Sequence, residues 1–82
     1  AAVIYATLKT IEHELRQGSR DFAGLEAAGL QVLEAHGFKP QYVAIRTPEL
    51  QAPSDAEPAL VILIAAFLGK TRLIDNFQVS FI

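Results

Sequence analysis

Gly69-Lys70-Thr71 follows a long apolar run and carries the glycine, lysine and hydroxyl with which a phosphate-binding loop closes. Such a loop also needs a glycine five residues before Gly69, so that backbone N–H groups can curl around phosphate, and a helix after the threonine. Ile64 stands at that earlier position. The chain before Gly69 therefore lacks a glycine-rich cradle, and Arg72 to Phe77 has strand character. The pattern predicts a two-residue hairpin turn, with Gly69 at the first central position as a type II′ turn prefers. In that register Leu68 faces Thr71, Phe67 faces Arg72 and Ala65 faces Ile74.

The other reactive side chains resolve mostly into structure. His13 and His36 belong to different helices, with no cysteine in the chain and no carboxylate at metal-ligand spacing. His13 falls on the polar side of the first helix, and His36 suits a helix end, where positive charge meets the C-terminal dipole. Ser19-Arg20-Asp21 could be grouped as catalytic, but it follows a helix-stopping glycine and reads as a capped helix start. Asp55 and Glu57 are loop acids. Arg46, Arg72 and Asp75 sit in or beside strands. Arg72 and Asp75 point to opposite faces of theirs, so they are not a simple pair. Asp75-Asn76 is expected to end the strand or to bond local backbone. These residues supply no catalytic, cofactor-binding or metal-ligating set.

Two helical and three β-prone segments must position them. Ile4, Leu8, Ile11 and Leu15 recur at helical spacing, and Glu12 precedes Arg16 by four, a surface pair worth about 0.3 kcal/mol. Gly18 stops this helix. Ser19 or Asp21 caps a second one, whose Phe22, Leu25, Glu26, Gly29, Leu30 and Leu33 follow one side. Gly29 inside a helix implies close approach of a neighbouring backbone. His36-Gly37-Phe38 predicts a Schellman ending with Phe38 folded onto Leu33, and Pro40 prevents resumption. Tyr42 to Arg46 is a short β-prone run. The stretch TPELQAPSDAEP, with Pro48, Pro53 and Pro58 among three acids, is a surface connection. Ala59 to Leu68 is apolar on both alternating sets, which suits a central strand buried on both faces, with a buried helix as the competing reading. TRLIDNFQV returns as the last strand. The expected fold class is α+β, two N-terminal helices packed on a three-stranded, mainly antiparallel sheet with Ala59–Leu68 in the middle.

At 82 residues this is one domain, with 51% of residues apolar, rich enough to leave an apolar face for another domain. A net charge of −2 gives no footprint for nucleic acid. The longest apolar run is far short of the roughly 20 residues that span a bilayer. The start Ala1-Ala2, with no methionine and no basic leader, reads as a fragment.

LVILIAAFLGKTRLIDN resembles the C-terminal end of the pantothenate synthetase (pantoate–β-alanine ligase) family. The Ile4-Tyr5 helix, QGSRDF, the helix ending HGF, and YVAIRTPEL are similar to that family as well, so the resemblance covers nearly the whole chain. It implies that residues 1–82 are the C-terminal lid domain of a cytoplasmic ligase. That enzyme condenses pantoate with β-alanine, using ATP and Mg, through a pantoyl-adenylate with release of pyrophosphate. The family's nucleotide site lies mainly on an N-terminal Rossmann-like domain. Its His-containing motif and Lys/Ser/Arg loop belong upstream of Ala1, so no catalytic or cofactor-binding residue is carried over. The expected partner is that N-terminal domain, with neither nucleic acid nor membrane, and the fragment alone is expected to be inactive. The tail FQVSFI runs beyond the family's usual end and suits an extended strand or a lead into a further domain, such as the cytidylate kinase fused to some relatives. The alternative reading is a free-standing interaction module that uses an apolar sheet face.

Overall fold

The apolar stripe of Ile4, Leu8, Ile11 and Leu15 needs a surface to cover it, and the rest of the chain supplies one. The computed structural model describes residues 1–81. It contains helix α1 (Ala2–Arg16), helix α2 (Phe22–Ala35) and strands β1 (Lys39–Arg46), β2 (Ala59–Leu68) and β3 (Thr71–Ser80). The strands form one antiparallel sheet in the order β1-β2-β3, so the doubly apolar segment is central, and it is a strand rather than a helix. The expected α+β class and layout hold.

Both helix ends carry the local chemistry their residues dictate. Asp21 caps α2, its Oδ1 accepting from the Gly24 N–H at 3.1 Å, which resolves the choice between Ser19 and Asp21. At the far end Phe38 N–H donates to the Leu33 carbonyl and Gly37 N–H to that of Glu34, with Gly37 at φ +85. This paired pattern is the Schellman motif, and it tucks Phe38 into the core beside Leu33.

Along the sheet, Val43 and Ile45 of β1, Leu60, Ile62, Ile64 and Ala66 of β2, and Val79 of β3 share the face on which the helices pack. Ile45, Ile62 and Ile64 are completely buried there. α1 lies against β2 and β3, and α2 lies against β1.

Three local readings are corrected. Gly29 is tight against side chains, not backbone: a Cβ there would sit 3.1 Å from Val43 Cγ1 and 3.4 Å from Thr7 Cγ2. β1 begins at Lys39, earlier than Tyr42, and takes in Pro40. An edge strand needs partners on one side only, and the ladder shifts register between Pro40 and Tyr42, which makes room for the proline. Glu12 is no surface residue. It is 8% exposed, and its carboxylate accepts from Lys9 Nζ at 2.7 Å and Arg16 Nε at 3.0 Å. The connection after β1 is irregular, as expected. Thr47 anchors it, with its N–H and hydroxyl both bonded to Gln51, and Leu50 takes φ +65.

Candidate functional site

The Gly69-Lys70 turn decides the phosphate question geometrically. Leu68 pairs with Thr71, Phe67 with Arg72 and Ala65 with Ile74, so the two residues between form a tight hairpin turn. Gly69 has φ +61 while Lys70 does not have positive φ, which matches type II′ and excludes type I′. Ile64, where a phosphate loop would have glycine, is fully buried in the core of β2. The turn leads directly into strand, Thr71–Ser80, and not into a helix. Lys70 is an exposed turn residue.

Several of the remaining candidate residues hold the fold. His13 is exposed on α1, and His36 caps α2 with Nδ1 2.9 Å from the Val32 carbonyl oxygen. Arg20 ties three segments together: Nη1 donates to the Leu15 and Ser19 carbonyls, and Nε donates to the Asp55 carbonyl. Its guanidinium also lies over the Phe81 ring, 4.7 Å from the centroid. Glu57 accepts from Ser54. Among the described residues, no three His, Cys, Asp or Glu side chains gather as a metal site would need.

Strand charges have distinct tasks. Glu26 Oε2 accepts from the Ile45 N–H at 2.8 Å and from Arg46 Nη1 at 3.0 Å. The Ile45–Ile62 pair faces away from the ladder bonds, so this carboxylate satisfies an outward N–H on the sheet's free edge. Asp75 does not end the strand, which runs on to Ser80; its Oδ1 accepts from the Asn76 N–H at 2.8 Å. Of the two roles foreseen for Asp75-Asn76, local backbone bonding is the one observed. Arg72 Nε donates to Gln41 Oε1 at 2.6 Å, reaching across β2 to β1.

Two apolar surfaces remain uncovered. One is a groove of about 180 Å3 between α1 and α2, lined by Val3, Ala6, Leu25, Ala28 and Val32 among others. The other is the sheet face opposite the helices, where alternation places Tyr42, Leu63, Ala65, Phe67, Arg72, Ile74 and Asn76. Ile74 is 64% exposed and Tyr42 is 41% exposed, and a depression of about 350 Å3 lies between them over Leu63. Sequence reasoning anticipated an apolar sheet face but missed the Arg72–Gln41 and Glu26–Ile45 contacts. Both bring together residues distant in the chain, which no local spacing reveals.

The family model of pantoate–β-alanine ligase matches residues 1–78. The chain belongs to that family. Pantothenate synthetase of Pseudomonas fluorescens (strain Pf0-1) is 49% identical to this chain over 81 residues, covering 98% of it and 28% of the relative. The Methylococcus capsulatus (strain Bath) enzyme of the same name is 47% identical, with the same two coverages. A crystal structure of pantothenate synthetase from Thermus thermophilus superposes with TM-score 0.79 at 32% identity, covering 95% of this chain and 29% of that one. The chain thus spans somewhat over a quarter of the length of the family members it matches. Among the described residues, no helix is long and apolar enough to cross a membrane.

Proposed function

We propose that this chain is the C-terminal lid domain of a pantoate–β-alanine ligase. It covers a site on an N-terminal nucleotide-binding domain where ATP activates pantoate as an adenylate for attack by β-alanine. One observation carries the reading: the family match runs over nearly the whole of this chain yet accounts for only 28% of a relative such as the P. fluorescens enzyme. A domain of that kind acts by enclosure. Closing over a reactive acyl-adenylate excludes water, which would otherwise hydrolyse it, and strengthens every polar contact inside.

The Gly69-Lys70 turn does not fit the phosphates of ATP. The turn at Gly69 offers no ring of backbone donors, and Lys70 stands in a hairpin loop. In this reading nucleotide and metal belong to the N-terminal part of the ligase, and this chain alone is inactive. The same reading puts the enzyme in the cytoplasm.

Titrating Mg-ATP into the 82-residue chain while following backbone amide shifts tests this. No saturable shift is expected around Gly69, Lys70 and Thr71. In the full-length protein, pantothenate formation is expected, and Lys70→Ala should leave turnover nearly intact, because a turn lysine outside the phosphate site stabilises no transition-state charge. Saturation at micromolar ATP in the isolated chain, or an inactive Lys70→Ala ligase, would overturn the lid-only role.

A further inference from the structure

We propose that the open sheet face, and not the groove between the helices, is the surface on which the nucleotide-binding part of the ligase docks, with Ile74 as its apolar anchor and Arg72 as its oriented polar contact. The inference rests on reading this chain as one domain of that ligase.

Size separates the two surfaces. The groove holds about 180 Å3, against about 350 Å3 for the depression on the sheet face. The sheet presents three strands, two of them ten residues long. With about 3.3 Å per residue and about 4.8 Å between strands, the face measures roughly 30 by 14 Å, on the order of 400 Å2. Counted on both partners this is about 800 Å2, inside the range of roughly 600–1,500 Å2 for contacts between domains of one chain. A partner contributing the remaining length of the relatives, more than twice that of this chain, needs the broad surface.

The composition of the face agrees. Tyr42, Leu63, Phe67 and Ile74 form an apolar centre over the buried Ala65, and Arg72 and Asn76 flank it. That is the layout of an interface, apolar in the middle and polar around it. Arg72 is held by its bond from Nε to Gln41, and no bond to its Nη groups is found among the described residues. A guanidinium fixed at Nε presents a planar pair of donors, which fits a carboxylate on the docking partner. Lateral strand addition at β1 is disfavoured by contrast, because Glu26 occupies the Ile45 N–H.

Hydroxyl-radical footprinting of the full-length ligase, with Mg-ATP and pantoate present, reads both surfaces in one sample. Tyr5 on α1 and Tyr42 on the sheet are 56% and 41% exposed in this chain, and Val32 and Ile74 are 43% and 64% exposed. With intrinsic reactivities divided out, Tyr42 and Ile74 should react at least fivefold more slowly than those exposures require, while Tyr5 and Val32 react in proportion to them. Arg72→Ala and Ile74→Asp should each restore the reactivity of Tyr42. Protection of Tyr5 and Val32 with Tyr42 and Ile74 reactive would move the interface to the groove and overturn the proposal. So would four reactive residues, or protection that disappears on dilution, which would assign the face to a second copy. A full-length protein that makes pantothenate but leaves Tyr42 and Ile74 reactive overturns only this inference. One that protects them but makes no pantothenate overturns only the ligase reading.

Discussion

Replacing Gly69 isolates a pure backbone effect. Its φ is +61, and a Cβ built there meets no heavy atom beyond its chain neighbours within 4 Å. Steric crowding by neighbours is therefore absent, and what remains is the intrinsic penalty of an L-residue at positive φ. That penalty is about 1–2 kcal/mol for an ordinary side chain, and up to about 3 kcal/mol where the conformation is strongly disfavoured, as for β-branched valine. With a urea m-value of about 1 kcal/mol/M for a domain this small, Gly69→Val should lower the unfolding midpoint by roughly 1–3 M. Chirality gives the decisive control. D-alanine at position 69, accessible by chemical synthesis, adds the same methyl group as L-alanine but favours positive φ. It should match wild type or exceed it by about 0.4–1 kcal/mol through a restricted unfolded chain. Lys70→Ala should move stability by less than about 0.5 kcal/mol. If L- and D-alanine destabilise equally, or Gly69→Val leaves the midpoint unchanged, the turn assignment fails.

Glu12 makes stability pH-dependent at both extremes. Its carboxyl is held below its ordinary 4.5 chiefly by the Lys9 hydrogen bond, with Arg16 adding to this against the opposing effect of burial. The Lys9 ammonium is raised above 10.5 chiefly by the same bond. The Glu12 contribution is thus complete above about pH 4.5 and lost as pH falls through the lowered value, and the Lys9 contribution is complete below about pH 10.5 and lost as pH rises through the raised one. Urea midpoints of wild type and Glu12→Gln should differ by a constant amount near neutrality and converge as pH falls below 4.5 through the lowered value; a gap undiminished in acid refutes this. Asp21→Ala removes the α2 cap and should cost about 1 kcal/mol by thermal or urea unfolding, with Asp21→Asn close to wild type. Glu26→Ala leaves the outward Ile45 N–H without its carboxylate and should cost about 1–3 kcal/mol. Faster hydrogen exchange at that single amide would identify the cause, and an unchanged rate would exclude it.

What was legible in the chain was what short-range spacing controls. The 3.6-residue stripe of α1, the Asp21 and Gly37 punctuation of α2, the doubly apolar run of β2 and the glycine of the hairpin each dictate their structure within a few residues. The turn even set the strand register, since pairing Leu68 with Thr71 leaves Ala65 opposite Ile74. Long-range side-chain contacts were not legible. Glu12 looked like half of a surface pair because i,i+4 spacing names Arg16 and says nothing of burial. Lys9 three residues earlier was the available signal. Glu26 stood on the buried side of α2 without a visible reason, until folding brought the Ile45 N–H to it across 19 positions. Gln41 gave no signal for Arg72 at all, being 31 positions away. The apolar sheet face was foreseeable from β2 alone, but Tyr42 and Ile74 join it only once the strand order is known.

The packing of the first helix on the last strand has a consequence for how the chain is made. Arg16 donates to the Ser80 carbonyl, and Lys9 lies over the Phe77 ring. Synthesis proceeds from the N-terminus, so Ile4, Leu8, Ile11 and Leu15 leave the ribosome long before Val79, the buried residue of β3 in the same core cluster. β2 and β3 are neighbours in sequence and zip locally, whereas α1 must wait for the whole hairpin to emerge. A nascent chain paused at Leu68 holds an amphipathic helix with part of its cover still inside the exit tunnel. Slow codons between β2 and β3 should therefore increase chaperone capture of this domain, and a ribosome-arrest series should show native-like folding force only after Ser80 has cleared the tunnel.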